Sequence, residues 1–399
     1  MSDRPLSVTV SVKGRFHGFD LARQLHERGM LGRLITTYPK FKIREWGIPD
    51  GKSSSILAQE FLSRVVGRVP LSSRKRQAAN FHLAVLYDHA ASERIPPETS
   101  LFVGWSGSST KSLRRAKSLG ARTIIERGST HIGFQDRILR DEYERLGLVW
   151  EGIDPRSIET EAEDYEATDF ISVPSAFVRD TFVQYGVTAT KILVIPYGCD
   201  LTIFKPRPKL DKIFRIIHCG QISVQKGVHI LIKAFAELRL PDSELWLIGG
   251  MTPEIANILQ RYPDSRIIVK GPFPQRLLPE YYSQGSVFCI GSVQEGLAMV
   301  IPQAMSCGLP VIATVNSGAA EIVENGRTGF VIVAGSVEAL KEKILLLFQN
   351  SSLREEMAAN LLAPQRASLS WSRYGEQIAE AYKEIAAQEY RAIPVSQNT

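Results

Sequence analysis

The stretch EGLAMVIPQAMSCGLPVIAT, residues 295–314, combines a loop, a short helix and the strand that follows. It comes directly after the apolar run SVFCIGS, which predicts a buried strand. We expect the helix to begin near residues 297–300, because Pro302 suits a first helical turn, and to end at Gly308. A strand, a helix and a second apolar strand in this order predict part of a parallel sheet covered by helices.

Glu295 and Gly296 occupy the loop between the first of these strands and the helix. Free backbone N–H groups at a helix start attract phosphate or sugar hydroxyls, and a glycine lets a ligand approach the backbone closely. Gln303 is expected about two turns into the helix, within reach of the same extended ligand as Glu295. The stretch therefore predicts a binding site for a phosphate or a sugar.

The composition is that of a folded protein with more than one core. A length of 399 residues favours two domains, and 44% hydrophobic with 23% charged residues is ordinary for a globular chain. No apolar run approaches the roughly 18 residues of a membrane-spanning helix, and the first residues do not resemble a signal peptide. The four cysteines lie far apart without metal-ligand spacing, which predicts buried free thiols, no metal site and a cytoplasmic location.

The charge is unevenly distributed along the chain. Residues 1–122 hold 21 Lys and Arg against 9 Asp and Glu, a balance of +12, whereas residues 123–205 hold 8 against 15 and the remainder balances at +1. Clusters at residues 73–76 and 111–117 are either solvated helix faces or a surface for an anionic partner such as a membrane. No aromatic-interleaved basic motif is present, so we expect no nucleic-acid partner.

Short apolar runs alternate with helix-period stretches through most of the chain. Residues 40–98 have no clean period and are expected to be helical and irregular. The segment FKPRPKLDK, residues 204–212, interrupts the alternation and is the best linker candidate. We therefore predict an α/β fold with two Rossmann-like, doubly wound domains, which would bind ligands outside the carboxyl ends of their strands. The predicted limits are 1–205, 206–375 and a C-terminal helix and tail over 376–399.

Several stretches together resemble one known family. The opening stretch, GAAEIVENGRTGF at 318–330 and CGQISVQKGVHILIKAF at 219–235 resemble the donor-site segments of the family-4 retaining glycosyltransferases, or glycosyl transferases group 1. VPSAFVRDTF at 173–182 and KILVIPYGCDLTIF at 191–204 resemble the family's interdomain stretches. The resemblance runs from about residue 6 to residue 382. It implies a GT-B fold, in which the two domains face each other across a cleft and the C-terminal helix crosses back to the N-terminal domain.

The resemblance also implies a donor site. Glu295 would bind hydroxyls of the transferred sugar, and Lys226 would neutralise phosphate charge as the diphosphate departs. The alternative for Lys226 is a solvated lysine beside a turn glycine. Backbone N–H groups of residues 296–298 would hold the sugar and diphosphate. The implied donor-site residues are Gly220, Gln221, Lys226, Glu295, Gly296, Leu297, Ala298 and Gln303.

Two of these positions depart from the family pattern. Gln303 stands where the family usually has a second glutamate for the nucleotide ribose, and its amide still bonds a diol without charge. Gln221 stands where the family usually has an arginine, so one cation facing the diphosphate is lost. Arg215, Arg276 or a metal are the candidates for replacing that charge.

The N-terminal half is expected to carry the acceptor. The loop SVKGRFHG, residues 11–18, resembles the family's N-terminal glycine loop, although His17 has helix capping as its alternative role. His131 lies about three residues after the usual place of a family histidine, where Gly128 stands, and its alternative is a hydrogen-bonded loop histidine. Glu126 is a further candidate in that region. The implied acceptor and phosphate-loop residues are Gly14, Arg15, His17, Gly18 and Arg127, with His131 as a third catalytic candidate beside Glu295 and Lys226.

The implied function is a hexosyltransferase that moves a sugar, with retention, from a nucleotide-diphosphate sugar to a glycan or lipid-linked acceptor in cell-surface polysaccharide biosynthesis. The donor is a co-substrate of UDP or GDP type, and no cofactor is expected. Two alternatives stay open: an isomerase of the nucleotide-sugar 2-epimerase type, and a non-catalytic glycan-binding homologue. The basic first third favours a peripheral position at the inner membrane face.

Overall fold

The computed structural model describes residues 6–362 and 365–387. Its strands are β1 (Val8–Val12), β2 (Leu31–Thr36), β3 (Ser53–Ser55), β4 (Leu101–Trp105), β5 (Arg122–Glu126), β6 (Phe170–Val173), β7 (Ile192–Val194), β8 (Phe214–Cys219), β9 (Ser243–Ile248), β10 (Ile267–Gly271), β11 (Val287–Ile290), β12 (Val311–Thr314) and β13 (Gly329–Ile332).

The helices of the first half are α1 (Gly18–Glu27), α2 (Lys40–Arg44), α3 (Leu57–Arg68), α4 (Ser73–Ser92), α5 (Thr110–Ser118), α6 (Ile132–Arg145), α7 (Pro155–Ala167) and α8 (Ala176–Gln184). Those of the second half are α9 (Val228–Leu238), α10 (Pro253–Leu259), α11 (Leu278–Tyr282), α12 (Val300–Ser306), α13 (Val337–Gln349), α14 (Ser351–Leu362), α15 (Gln365–Ser368) and α16 (Trp371–Ala387).

The strands form two sheets. In each sheet the direction in which the chain adds successive strands reverses at one point. The first sheet has the order β3-β2-β1-β4-β5-β6-β7, and the second has the order β10-β9-β8-β11-β12-β13. Neighbours such as β1 with β4 and β8 with β11 run parallel. The chain therefore moves outward from β1 and from β8, then restarts on the other side at β4 and at β11. This is the doubly wound arrangement expected from the alternating sequence, and its reversal points are where such sheets bind ligands.

The second sheet shows why its strands read as continuous apolar runs. Every residue of β8, β11 and β12 is buried, because helices cover both faces. On one face Leu231 and Phe235 of α9 and Leu347 of α13 are completely buried in the core. On the other face Ile301 and Ala304 of α12 are completely buried. This burial holds the strand ends in place and so positions the loops that follow them.

The described chain divides into two compact units that are interleaved along the sequence. One contains residues 6–126, 159–171 and 375–387, and the other contains residues 127–158 and 172–374. Residues 172–205 belong to the second unit because their polar groups bond within it: the Ser175 hydroxyl donates to the Gly296 carbonyl, and the Cys199 N–H donates to the Leu369 carbonyl. The predicted limit at 205 falls between the two sheets along the chain, and the domain limits at 205 and 375 otherwise stay a prediction.

The predicted C-terminal segment, residues 376–399, begins inside the last helix. Helix α16 starts at Trp371, and its residues from Gly375 onward belong to the first unit, where Gly375 packs against Gln24 and Arg28. A Cβ added at Gly375 would lie 2.3 Å from the Gln24 Oε1 atom. The tail over residues 388–399, part of the predicted C-terminal segment, lies outside the described residues.

Two further expectations concern residues 40–98 and the cysteines. Residues 40–98 are helical in α2, α3 and α4, with β3 as a short edge strand that their sequence did not indicate. All four cysteines are buried and free, as expected from their apolar surroundings. Within residues 6–362 and 365–387, no helix has the length and hydropathy needed to span a bilayer.

Candidate active site

The clearest cluster of predicted residues lies at the reversal point of the second sheet. Lys226 is in the loop after β8, Glu295 is in the loop after β11, and the two side chains form an ion pair. The second carboxylate oxygen of Glu295 accepts a hydrogen bond of 2.9 Å from the Ser292 hydroxyl. The side chains are 19% and 16% exposed, so a ligand can reach both. A cation and a hydroxyl-binding carboxylate in contact suit a ligand that carries both phosphate and sugar.

Close backbone contact holds these two loops together. Gly227, which follows Lys226, has φ of 65°, and a Cβ there would lie 1.8 Å from the Gly291 carbonyl oxygen. A side chain on Gly227 would therefore push the loop after β8 away from the loop after β11. The contact between Lys226 and Glu295 depends on this glycine.

Gly220 and Gln221 begin the same loop that carries Lys226. Gly220 has φ of 129°, and Gly249 lies so close that its Cβ would be 1.7 Å from the Gly220 carbonyl oxygen. The Gln221 side chain is exposed at this end of the sheet. Arg215, suggested as a replacement for the missing cation, is buried and bonded to Asp211 and Glu244, which leaves its charge already neutralised.

The backbone after Glu295 is held by protein contacts. A Cβ on Gly296 would lie 2.1 Å from the Gly128 carbonyl oxygen, so this glycine is needed for close packing of the chain on itself. The Ala298 N–H donates to the Ser317 carbonyl at 3.0 Å, so it is not free to bind a diphosphate in this conformation. In the described chain, the N–H groups of Gly296 and Leu297 donate to no other residue. They are the backbone donors left for a ligand.

Gln303 is nearer to the helix start than the sequence suggested. Helix α12 begins at Val300, so Gln303 lies in the first turn, and the expectation of two turns was wrong. The amide is 5% exposed, and its Oε1 atom accepts from the Tyr282 hydroxyl at 3.4 Å. The late start arises because residues 296–298 pack against the backbone at 128 and 317 instead of entering the helix.

Gln294 is a functional candidate that the sequence did not single out. Its amide nitrogen donates to the hydroxyls of Ser129 and Thr130, both at 2.7 Å, and its carbonyl oxygen accepts from Gln225 at 2.9 Å. This fully buried amide therefore ties the loop after β5 to the loops that carry Lys226 and Glu295. No local signal predicts it, since Ser129 lies 165 residues away in the chain.

His131 has a capping role in this structure. Its Nδ1 atom accepts from the Gly133 N–H at 3.2 Å at the start of α6, and its ring stacks on Tyr185 with centroids 4.3 Å apart. Burial, with a smaller contribution from the nearby Arg127 guanidinium, lowers the pKa of His131 to about 4. The geometry thus matches the alternative of a hydrogen-bonded loop histidine. Arg127 braces the same loop by donating to the Thr130 carbonyl and to Gln135.

This depressed pKa makes a testable contribution to pH-dependent stability. Below pH 6.5 the unfolded chain takes up a proton at His131 that the folded chain does not bind until about pH 4. The contribution of neutral His131 to the free energy of unfolding is therefore fully present above pH 6.5. It is lost as the pH falls toward 4, by up to about 3 kcal/mol. His131→Asn keeps a capping acceptor, so we expect its free energy of unfolding, measured with urea at several pH values, to fall less below pH 6.5. Parallel curves for the two proteins would contradict this.

The predicted acceptor residues lie at the reversal point of the first sheet. His17 follows β1, and its Nε2 atom is 3.1 Å from a carboxylate oxygen of Glu126 at the end of β5. The imidazole also packs on Trp105 at the end of β4, with ring centroids 5.0 Å apart. The other oxygen of Glu126 is buried and, among the described residues, has no hydrogen bond. A buried carboxylate, an imidazole and an indole at strand ends are groups that suit a hydroxylated ligand.

The rest of the glycine loop shapes the approach to this cluster. Gly14 adopts φ of 92°, and its carbonyl accepts from the Thr36 hydroxyl at 2.7 Å. Gly18 begins α1, where a Cβ would lie 2.9 Å from the Val12 side chain. Arg15 is exposed and places its guanidinium 5.2 Å from the centre of the Trp46 ring. His17 makes no capping bond to α1, so the alternative of a capping histidine is not what its side chain does.

No metal site is evident in the part of the chain that the structure describes. Groups of three or more His, Cys, Asp or Glu side chains that could hold an ion do not occur in residues 6–362 and 365–387. The expectation that the protein needs no metal stays a prediction.

Residues 201–361 match the family model of glycosyl transferases group 1. Sulfoquinovosyl transferase SQD2 of Arabidopsis thaliana is 29% identical over 206 residues, which cover 48% of this chain and 40% of that protein. Capsular polysaccharide biosynthesis glycosyltransferase CapM of Staphylococcus aureus is 28% identical over 217 residues, 49% of this chain and 56% of that protein. The matched region thus spans about half the length of these curated relatives.

The likeness to solved structures extends over nearly the whole chain. HepE of Anabaena, solved in complex with UDP, aligns with 95% of this chain and all of its own at a TM-score of 0.66 and 19% identity. The shared architecture confirms the α/β class with two parallel-sheet, Rossmann-like domains of the GT-B type. Over residues 201–361 the match bears out the expectation of glycosyl transferases group 1, while the retaining subclass stays a prediction.

Proposed function

We propose that this protein, whose residues 201–361 match the family model of glycosyl transferases group 1, is a glycosyltransferase that moves a hexosyl group from a nucleotide-diphosphate sugar to an acceptor, with retention at the anomeric carbon. The observation that carries the proposal is the contact between Lys226 and Glu295 at the reversal point of the second sheet. Ligands of doubly wound sheets bind at this position, beyond the carboxyl ends of the strands.

We assign a separate role to each side chain of the ion pair. Without a donor, the Lys226 ammonium and the Glu295 carboxylate neutralise each other. When the donor binds, we expect Lys226 to turn to the diphosphate, whose charge increases as the bond to the sugar breaks. Glu295 then accepts hydrogen bonds from sugar hydroxyls, while the Ser292 hydroxyl continues to hold one of its oxygens. Lys226 thereby exchanges one anionic partner for another, while Glu295 exchanges the ammonium for neutral hydroxyl donors.

The proposed transfer needs no nucleophile from the chain. The acceptor oxygen forms a bond to the anomeric carbon on the face that the diphosphate leaves, and the acceptor proton passes to the departing diphosphate. Orientation of the two substrates and stabilisation of the diphosphate charge supply the catalysis. In this proposal the nucleotide sugar is a co-substrate, and no cofactor takes part.

We place the acceptor beside the first sheet, at His17, Glu126 and Trp105. The buried Glu126 carboxylate holds the His17 imidazole, whose side chain is 9% exposed and can meet a sugar hydroxyl. The acceptor class that we propose is a glycan or a lipid-linked sugar of a cell-surface polysaccharide. The name of the relative CapM supports this class, and the excess of Lys and Arg in residues 1–122 suits a cytoplasmic protein that works at the anionic inner membrane face.

The proposal is tested by nucleotide binding. A nucleotide that binds only the folded protein raises the melting temperature, by about 2–4 °C at a hundred times its dissociation constant for a chain of this size. We expect a shift with one of UDP, GDP and ADP, with UDP as the first choice because the related HepE was solved with it. No shift with any of the three, together with no donor hydrolysis, would contradict the function. An epimer formed from the nucleotide sugar alone would favour the isomerase.

The same measurement tests the role of Gln303, with Gln349 as its matched control. If its buried amide holds the ribose diol, Gln303→Leu leaves that diol unpaired and should lose about 1–3 kcal/mol of nucleotide binding. Gln303→Glu keeps an acceptor and should retain binding. The same Gln→Leu exchange at Gln349, an exposed residue of α13, should leave the shift unchanged. An undiminished shift in Gln303→Leu would place the ribose elsewhere.

A further inference from the structure

Helix α3 of the first unit exposes its apolar side. Leu57, Phe61, Val65 and Val69 recur every four residues and therefore share one face of the helix and its C-terminal continuation. They are 55%, 69%, 43% and 42% exposed, and the neighbouring Leu62 is 42% exposed. An isolated exposed apolar side chain is ordinary, but a continuous stripe over three helical turns marks an interaction surface.

The side of the same helix that faces the protein is more polar, with Gln59 buried and Glu60, Ser63 and Val66 half-buried. The one residue of α3 that is buried is Gln59, and its side-chain oxygen has no hydrogen-bond partner among the described residues. An ordinary surface helix does the reverse and buries its apolar stripe. Helix α5 of the same unit follows that ordinary pattern, with Leu113 and Ala116 buried and Arg114 and Arg115 exposed. The outward apolar face of α3 is thus a particular feature of this helix.

Positive charge surrounds the stripe, and most of it has no acidic partner. Residues 61–87 contain no Asp or Glu; Arg64 is paired with Glu60, while Arg68, Arg74, Lys75 and Arg76 form no ion pair within the described residues. The acidic residue of α3, Glu60, is already engaged by Arg64 at 2.9 Å and by the Thr37 hydroxyl at 2.8 Å. Helix α4 packs beside α3 and also has exposed apolar side chains, Val85 and Leu86.

From this arrangement we propose that α3 is an interfacial membrane helix, which lies in the plane of an anionic bilayer with Leu57, Phe61 and Val65 inserted between the lipids. An aromatic and aliphatic face flanked by cations is the composition of helices that bind in the headgroup region. Arg74, Lys75 and Arg76 at the start of α4 attract the anionic headgroups. A two-fold contact between copies of this chain would instead bring the four unpaired cations Arg68, Arg74, Lys75 and Arg76 against those of the second copy, which disfavours a dimer through this face.

The biological role of this docking rests on the proposed function. A glycosyltransferase held at the bilayer would meet a lipid-linked acceptor in the plane of the membrane. The docking itself can be measured without any nucleotide sugar. A failure of docking therefore leaves the donor chemistry intact, and a failure of transfer leaves the docking measurable.

The first experiment is co-sedimentation of the full chain with vesicles of equal parts phosphatidylglycerol and phosphatidylcholine, or of phosphatidylcholine alone. We expect binding to the anionic vesicles at low salt, loss of binding in about 0.5 M salt, and none with the neutral vesicles. Phe61→Ser with Val65→Ser should weaken binding at least tenfold although no charge changes. Leu210→Ser, the same type of exchange at an 84% exposed site in the second unit, should leave it unchanged. No sedimentation of the unaltered protein at low salt would overturn the proposal.

A second measurement separates insertion from attraction by charge alone. The four native cysteines are buried, so Leu62→Cys can be labelled selectively with a polarity-sensitive dye. We expect its emission to shift to the blue with anionic vesicles, and no shift for the dye at Ser118→Cys, an exposed position on α5. Binding without a shift at position 62 would overturn insertion by α3. A dimer in lipid-free ultracentrifugation that Phe61→Ser with Val65→Ser dissociates would also overturn it, since a second copy would then cover the face.

Discussion

Lys226→Ala is expected to lower sugar transfer at least about a thousandfold while the protein stays folded, because the variant removes the cation that we assign to the departing diphosphate. The stability cost should be small, since Lys226 and Glu295 form a partly exposed pair and Glu295 keeps the Ser292 hydroxyl. The measurement is transfer from the nucleotide sugar that the binding screen identifies, with circular dichroism to verify the fold. Glu295→Ala should have a comparable effect, through loss of the hydroxyl acceptor.

A matched lysine separates the loss of function from the loss of an ion pair. Lys341 lies on α13, is 23% exposed and bonds Glu237 of α9 at 2.9 Å. Both residues are away from the loops at the reversal point of the sheet. Lys341→Ala removes a pair of similar exposure and should retain full transfer. If Lys226→Ala or Glu295→Ala also retained it, the assignment of the donor site would be wrong, even if a nucleotide still stabilised the protein.

Gly249→Ala is expected to destabilise the protein by about 3–5 kcal/mol. The added Cβ would lie 1.7 Å from the Gly220 carbonyl oxygen, and the residue has φ of 147°, so both the contact and the backbone conformation oppose a side chain. Backbone cannot move aside here, because the Gly220 N–H donates to Ile248 and the Gly249 N–H donates to Gly271. Urea unfolding monitored by circular dichroism measures the loss.

The adjacent glycine supplies the control. Gly250 has no atom within 4 Å of an added Cβ and no positive φ, so Gly250→Ala should change the free energy of unfolding by no more than about 0.5 kcal/mol. Because Gly220 begins the loop that carries Lys226, whatever folded Gly249→Ala protein remains should also bind nucleotide more weakly. Equal stability of the two variants would show that the loop after β8 yields to the added methyl group.

Much of the fold could be read from the chain because its determinants are local. The apolar runs of β8, β11 and β12 indicate strands buried on both faces, and Gly308 ends α12 with φ of 79°, as a glycine after a helix should. Glu295 was recognisable because it follows such a strand and precedes a helix, whereas Lys226 was recognised through the resemblance of residues 219–235 to the family's donor-site segment. The short edge strand β3 was not recognisable, because its three serines carry no apolar pattern.

The contacts that shape the site depend on residues far apart in the chain, and only the tertiary structure decided them. The sequence could place Gly296 after a strand, but not show that it packs against Gly128, nor that this packing delays α12 and puts Gln303 in its first turn. The Gln294 amide reaches Ser129 across 165 residues, and the stripe on α3 is exposed although its periodicity alone would fit a buried face. Local sequence patterns predict helices and strands because the spacing of residues along a helix or a strand fixes which side chains share a face. Which groups meet depends on how those elements pack, and no short window of sequence contains that information.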